Sequence, residues 1–247
     1  MFVCSMYNLK GGVGKTASSV NFAYLAASEG YKTLLWDFDP QGASSFYFKA
    51  TAIKPDNQSK EMDADVALSA AIVCTEYEGL DIIPADHSAG NQDFLHDGKY
   101  GSKEEFKKLL EEVLYVYDFV FFDCPPGFST IADNVFSTSD MVLMSVIPTT
   151  LSVRTYEQVI NHFNNKHIPL EKLRCFFSMV DSRKAMHKST MKNLDSDNRF
   201  FNYYIPYLSD IEKMGLKNAP VTAYSPSGYA SVCYRALWDE IKSSTGT

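Results

Sequence analysis

Two lysines five residues apart, Lys10 and Lys15, flank three glycines in the stretch YNLKGGVGKTASS, Tyr7 to Ser19. Glycines carry no Cβ, so successive backbone N–H groups can converge on an anion. A helix opening near Thr16 would bring the positive end of its dipole to the same point. The chemistry this predicts is phosphate binding, with Lys15 on the β- and γ-phosphates and the Thr16 hydroxyl on Mg²⁺. The stretch departs from the general pattern GxxxxGK[ST], because Leu9 stands where the first glycine belongs and the run reads KGGVGKT. A glycine-rich turn without a ligand is the alternative; seven specified residues between a strand and a helix weigh against it.

Two further stretches end in carboxylates. LLWDFDPQG, Leu34 to Gly42, closes an apolar run with Asp37 and Asp39. DFVFFDCPPG, Asp118 to Gly127, closes another with Asp123. A carboxylate at the C-terminal end of a strand lies where open parallel sheets bind ligands. The prolines after Asp123 cannot donate to a sheet ladder, so that strand must stop there. The competing readings are a solvated pair of turn aspartates and a core strand that merely ends in aspartate.

The elements that would position these groups alternate. Strands are predicted at Phe2–Tyr7, Lys32–Asp37, Leu80–Pro84, Phe119–Asp123, Met141–Ile147, Arg174–Val180 and Phe200–Ile205. Several are apolar without alternation, as strands covered on both faces are. Helices are predicted at Thr16–Glu29 with Gly30 as its C′ residue, and at Asp63–Ile72, Lys103–Leu114, Thr130–Ser137, Thr150–Asn165, Lys188–Asp195 and Ser227–Ser243. The expected fold class is α/β, a doubly wound, mostly parallel sheet flanked by helices, as in P-loop NTPases. The most linker-like segment, Ala52–Lys60, reads as a surface loop inside one domain spanning residues 1–247.

KGGVGKT resembles the deviant Walker A motif of the ParA/MinD group of P-loop ATPases. DFDPQG resembles that group's second acidic motif, and FFDCPP its Walker B strand. The likeness extends through Val146–Phe163, similar to the group's strand and interface helix, and through the C-terminal segment with its Ile205–Pro206 pair. The resemblance implies an ATPase with ATP and Mg²⁺ as cofactors. Lys10, Gly11, Gly12, Val13, Gly14, Lys15, Thr16 and Ala17 would hold the phosphates, and Pro206 would lie near the adenine. Thr16, Asp37 and Asp123 would lie at the metal, and Asp39 would orient the attacking water. Gly127 and the residues after it would sense the γ-phosphate. Lys10 would cross to a partner subunit and contact the nucleotide held there, as an arginine finger does in trans. A homodimer with two ATP molecules in its interface follows, loosening when ADP replaces ATP. Ala17 replaces a threonine usual in the group, which removes one hydroxyl near the α-phosphate and leaves the backbone donors.

The resemblance is to the short, single-domain kind, and no helix-turn-helix domain is expected before Phe2. Such proteins bind DNA without sequence preference as ATP dimers. Val180–Lys192 supplies Arg183, Lys184, Lys188 and Lys192, with His187, at the place of one basic region of the group. Phosphate contacts need only charge and reach, and a dimer doubles them; a solvated helix face is the alternative. A second basic region, after Pro206, reads Tyr207, Leu208, Ser209, Asp210 instead of arginines, leaving Lys213 and Lys217. Expected partners are non-specific DNA and a ParB-like or other cargo adaptor. The alternatives are a MinD-like membrane cycler, an iron–sulfur carrier and a regulator without DNA binding. The tail YRALWDEIKSSTGT is mixed in charge, unlike a basic membrane-seeking helix. The cysteines lack any CxxC pair.

The chain of 247 residues has a formal net charge of −7, which argues against a globally basic nucleic-acid binder and leaves room for a local patch. No run reaches the length of a membrane-spanning helix, and MFVCSMYN reads as a buried strand with no basic leader region. A cytoplasmic, nucleoid-associated protein with reduced core thiols is expected. Seventeen Phe and fifteen Tyr read mainly as core, with Phe46–Phe48 as a possible surface exception. His87, His96, His162, His167 and His187 have no metal-ligand spacing and read as lone surface histidines.

Overall fold

The computed structural model describes residues 1–52, 64–85 and 103–245. Seven strands form one sheet, β1 (Phe2–Tyr7), β2 (Thr33–Asp37), β3 (Val73–Cys74), β4 (Leu80–Ile83), β5 (Phe119–Asp123), β6 (Met141–Val146) and β7 (Leu173–Phe177), in the order β3-β4-β2-β5-β1-β6-β7. All pairs are parallel except β3–β4. The main helices are α1 (Lys15–Ser28), α2 (Ala43–Tyr47), α3 (Ala64–Ala71), α4 (Lys103–Leu114), α5 (Thr130–Thr138), α6 (Thr150–Asn165) and α7 (Ala185–Asn193). Three short turns of helix follow, α8 (Ser209–Glu212), α9 (Met214–Lys217) and α10 (Val221–Tyr224), before the long α11 (Tyr229–Ser244).

The apolar strand runs hide an alternation that both faces of the sheet use. Cys4, Met6, Leu35, Phe119, Phe121 and Leu143 point to the face covered by α1 and α11. Val3, Tyr7, Leu34, Trp36, Val120 and Phe122 point to the face where residues of α4, α5 and α6 pack. Every residue of β5 is buried, which is why its sequence shows no polar side. α1 stops where expected: Gly30 takes φ 93° and donates to Ala27 O at 2.9 Å.

The segment Phe200–Ile205 is a correction. It runs beside β7 as isolated bridges, Cys175 with Phe200 and Val180 with Pro206, and is no strand. The backbone amides of Asn202 and Tyr203 donate to the Glu240 carboxylate on α11 (2.9 and 3.1 Å), so the middle of the run is drawn out of the ladder. The basic helix also starts earlier than Lys188, at Ala185, and ends at Asn193. α2, β3 and α8–α10 have no counterpart in the predicted elements. Most of the linker-like Ala52–Lys60, Asp63 of the predicted second helix, and His87 and His96 lie outside the described residues.

α11 uses its apolar side internally. Tyr234, Leu237, Trp238 and Ile241 are buried against α1 and β5, and the Trp238 ring lies 5.3 Å from Phe119 and 6.3 Å from Phe22. Its indole N–H donates to Glu29 at 3.1 Å, and Lys242 pairs with the same carboxylate at 2.6 Å. No helix among the described residues is long and apolar enough to cross a membrane. Trp238→Ala is expected to cost about 3–5 kcal/mol of stability, the range for emptying a large aromatic site. Denaturant unfolding checks this; a loss below about 1 kcal/mol, typical of surface positions, would mean that α11 is not packed as described.

Candidate functional site

β1, β2 and β5 end together. In the parallel register Asp37 lies opposite Asp123, and Met6 opposite Asp123 on the other side. The chain leaving β1 turns at once into the glycine loop and then α1. Asn8, buried beneath the turn, donates its amide to Ser145 O (2.6 Å) and accepts from the Lys10 backbone N–H (2.9 Å). This fastens the loop to β6 before the glycines begin.

The loop is an open cradle. A Cβ at Gly11 or Gly12 would meet no atom within 4 Å, so the space over the backbone donors is free. Gly12 and Gly14 take φ 69° and 87°, conformations that favour glycine. At Gly14 a Cβ would also come within 2.7 Å of Ser178 Oγ. Lys15, the first residue of α1, is 6 % exposed and donates Nζ to Lys10 O at 3.2 Å. Lys10 itself stands at the rim. Its Nζ donates to Leu151 O at 2.9 Å, in the first turn of α6, with the contact open to solvent. The two lysines are therefore one buried and one accessible, on either side of the same glycines.

The acidic side of the site is dry. Asp123 is fully buried and accepts hydrogen bonds from Ser19 (3.1 Å) and Ser44 (2.7 Å). Burial pushes its carboxyl up, opposed by hydrogen bonds from Ser44, Thr16 and Ser19 and by the Lys15 charge. Asp37 accepts the Ser45 hydroxyl (2.7 Å) and amide (2.9 Å), and the Asp39 amide (3.2 Å). Burial, and then the neighbouring Asp123 charge, push Asp37 up to about 7 despite those bonds. Asp39 sits half-buried at the start of a turn, its carboxylate accepting the Gln41 amide at 3.0 Å.

These groups fit a magnesium nucleotide. Hydroxyl and carboxylate oxygens are the donors a hard divalent cation prefers. No group of three or more His, Cys, Asp or Glu side chains able to hold a metal exists among the described residues.

Other predicted residues fall at varied distances from this centre. Val13 is buried under the loop and Ala17 packs against the α1 face of the core. Pro206 bridges to Val180, beyond the C-terminal end of β7 and so on the loop side of the sheet. Gly127, after β5, accepts the Tyr7 hydroxyl at 3.1 Å, and Phe128 stacks on the His162 ring at 3.9 Å. Lys188 and Lys192 lie four residues apart at exposed positions of α7 and so share one side, and Lys184, also exposed, is the extended residue just before the helix. Arg183 is 86 % exposed, but its guanidinium is forked onto Asp181 at 2.9 and 3.0 Å. After Pro206, Lys213 is paired with Asp210 at 2.8 Å.

Two residue classes depart from expectation. His187 is buried and accepts the Asp181 amide on Nδ1 at 3.1 Å, and His162 is held by Asp133 at 2.6 Å, so neither is a free surface histidine. Cys4, Cys124 and Cys175 are core thiols, whereas Cys74 is exposed and Cys233 half-buried. Of Phe46–Phe48, Phe46 is 55 % exposed, Tyr47 half-buried and Phe48 buried. Sequence reasoning missed Asn8, Ser19, Ser44 and Ser45. The run GASS directly after DPQ was the available signal for the last two.

A family model described as an AAA domain matches residues 1–172. The chain belongs to this family, as a ParA-type ATPase of the ParA/MinD superfamily. It is 27% identical over 249 residues to the chromosome-partitioning ATPase Soj of Treponema pallidum, covering 97% of this chain and 96% of that one. Its fold matches a protein assigned to plasmid partition in Borrelia burgdorferi B31, bound to AMPPNP, with a TM-score of 0.80, 19% identity and coverage of 98% and 99%. It also matches the septum site-determining protein MinD of Pyrococcus horikoshii complexed with Mg-ADP, with a TM-score of 0.76, 18% identity and coverage of 99% and 97%.

The environment of Asp37 sets a pH dependence. Folding raises its carboxyl from 3.8 to about 7, so the native chain holds more protons than the unfolded one between those values. Stability of the nucleotide-free protein therefore falls as pH rises through that window. Thermal melts across it are expected to show this slope, and Asp37→Asn to flatten it. An unchanged slope in the variant would remove Asp37 as its source.

Proposed function

We propose that this chain is a nucleotide-switched partitioning ATPase. It forms a homodimer around two Mg-ATP molecules, binds DNA without sequence preference in that state, and positions a cargo through a ParB-like or other adaptor protein. Hydrolysis is slow and adaptor-stimulated, and it returns the chain to a monomer that leaves the nucleoid. The reading takes residues 1–247 as one cytoplasmic domain.

The observation that carries this reading is the contrast between the two lysines. Lys15 is buried under its own loop, fit to neutralise a phosphate in the same subunit. Lys10 stands at an exposed rim, fit to meet a phosphate presented from outside. In this scheme the amides of residues 11–17 cradle the phosphates, and Pro206 flanks the base. Bound magnesium would neutralise charge developing on the transferred phosphoryl group. Thr16 and Asp123 would hold the ion, with Asp37 beside them. Asp39 would orient the water for attack, at a rim where water can enter. Membrane cycling gains nothing from α11, whose apolar side faces the core.

Two experiments test the scheme. Lys15→Ala is expected to lose nucleotide binding, whereas Lys10→Ala binds ATP and stays monomeric by light scattering with ATP present. A normal ATP dimer of the Lys10 variant would refute the trans role. Replacing Arg183, Lys184 and Lys188 with Glu is expected to weaken DNA binding across all sequences, lower its salt dependence and leave basal ATPase unchanged. Unaltered DNA affinity would place the contact surface elsewhere.

A further inference from the structure

β5 sits between β1 and β2 in the sheet, so the loop leaving it stands between the glycine loop after β1 and the Asp39 turn after β2. Cys124 still donates its amide to Met6 O at 3.2 Å, and Pro125 and Pro126 carry no N–H. Gly127 and Phe128 therefore supply the next backbone donors. Neither amide has a hydrogen-bond partner among the described residues. A Cβ at Gly127 would meet no atom within 4 Å. On the core side, Tyr7, the last residue of β1, donates its hydroxyl to Gly127 O at 3.1 Å. Its ring is fully buried and lies edge-on to Phe136 of α5, 4.5 Å away. Burial pushes the pKa of this hydroxyl up, so it remains a donor at neutral pH.

We infer that Tyr7 is a positioning residue for the terminal phosphate of a bound nucleoside triphosphate, acting through the peptide that joins Gly127 to Phe128. The inference rests on the nucleotide reading above. A trans peptide is planar, and its carbonyl and N–H point in opposite directions. Holding Gly127 O against the buried hydroxyl therefore turns the Phe128 N–H outward, away from the core, where a phosphate oxygen can accept it. Gly127 takes φ 97°, and a glycine opposes rotation of its own peptide less than any other residue. The Tyr7 hydroxyl supplies the restraint that the glycine lacks. Phe128 adds another from its side chain, which stacks on His162 at 3.9 Å, a ring that Asp133 holds at 2.6 Å. A donor aimed in advance needs no reordering when the anion arrives. In the same reading the inner phosphates belong to the glycine loop and Lys15, so the effect of Tyr7 is confined to the third phosphate.

The test uses the full chain with AMPPNP and ADP as probes, each with Mg²⁺. Tyr7→Phe removes the hydroxyl and keeps the ring against Phe136. The variant is expected to bind AMPPNP about tenfold more weakly than the wild type, the scale of one hydrogen bond to a charged group, with ADP affinity unchanged. A tyrosine that only packs would move both affinities together or neither, and either result would overturn the inference. Amide hydrogen exchange of the wild type gives a reading that needs no substitution. The Phe128 amide is expected to exchange more slowly with AMPPNP bound than with ADP bound. Equal exchange in the two complexes would also overturn the inference. Those outcomes leave the nucleotide reading intact, whereas a wild type that binds neither nucleotide ends both.

Discussion

Two carboxylates are forced side by side in a dry place. Parallel pairing of β2 with β5 puts Asp37 and Asp123 in register at the ends of buried strands, and neither can turn to water. Leaving two such charges unpaired would cost several kcal/mol. The surroundings answer in two ways. Serine hydroxyls from α1 and α2 donate to them, and the Lys15 charge lies close enough to lower Asp123. The compensation is incomplete for Asp37, whose proton is retained to about pH 7. In the proposed cycle, a divalent cation supplies the missing positive charge. The nucleotide-free chain is then less than fully settled at its own site, and ligand binding relieves the conflict.

The framework around that conflict is unequal. On one side stand β1, β5, α1 and α11, with Phe22, Phe119, Phe121 and Trp238 stacked or edge-on within about the distance aromatic pairs favour. On the other stands α2, a short helix whose Ser44 and Ser45 bond the carboxylates, with Phe46 exposed. Side chains from the rigid side can keep a phosphate loop and a Walker B carboxylate in place. Phe48, just past its end, and Tyr47 anchor α2 to the core beside α1. The sheet therefore provides the geometry of the site.

This division also explains what could be read in the residues. KGGVGKT, DFDPQG and FFDCPP announce themselves because each demands unusual types at fixed places, and strands of Val, Leu and Phe buried on both faces mark the sheet around them. Ser44 and Ser45 carry no such mark. A serine after a turn is compatible with solvent, a cap or a core hydrogen bond, and only the register of β2 and β5 decides which. Phe200–Ile205 misled for a related reason. Its β-branched and aromatic content suits a strand, but the donors of Asn202 and Tyr203 go to Glu240, thirty-odd residues on in α11, a partner that local pattern cannot reveal. His187 looked like part of a basic patch, and its ring nitrogen instead serves the Asp181 amide.

In the proposed cycle Lys10 would make a switch out of a small energetic difference. Its bond to Leu151 O is open to water, and hydrogen bonds exposed in this way add little net stability, because water replaces them at almost equal energy. Leaving that carbonyl therefore costs little, while a triphosphate met in a closing interface offers a charged, partly desolvated acceptor. The same move would be unfavourable for Lys15, whose burial commits it to the loop that holds it. In the proposed cycle, placing one lysine under the glycines and the other at their edge would separate holding a nucleotide from reporting it. Only the second of these tasks needs a residue that is free to go elsewhere.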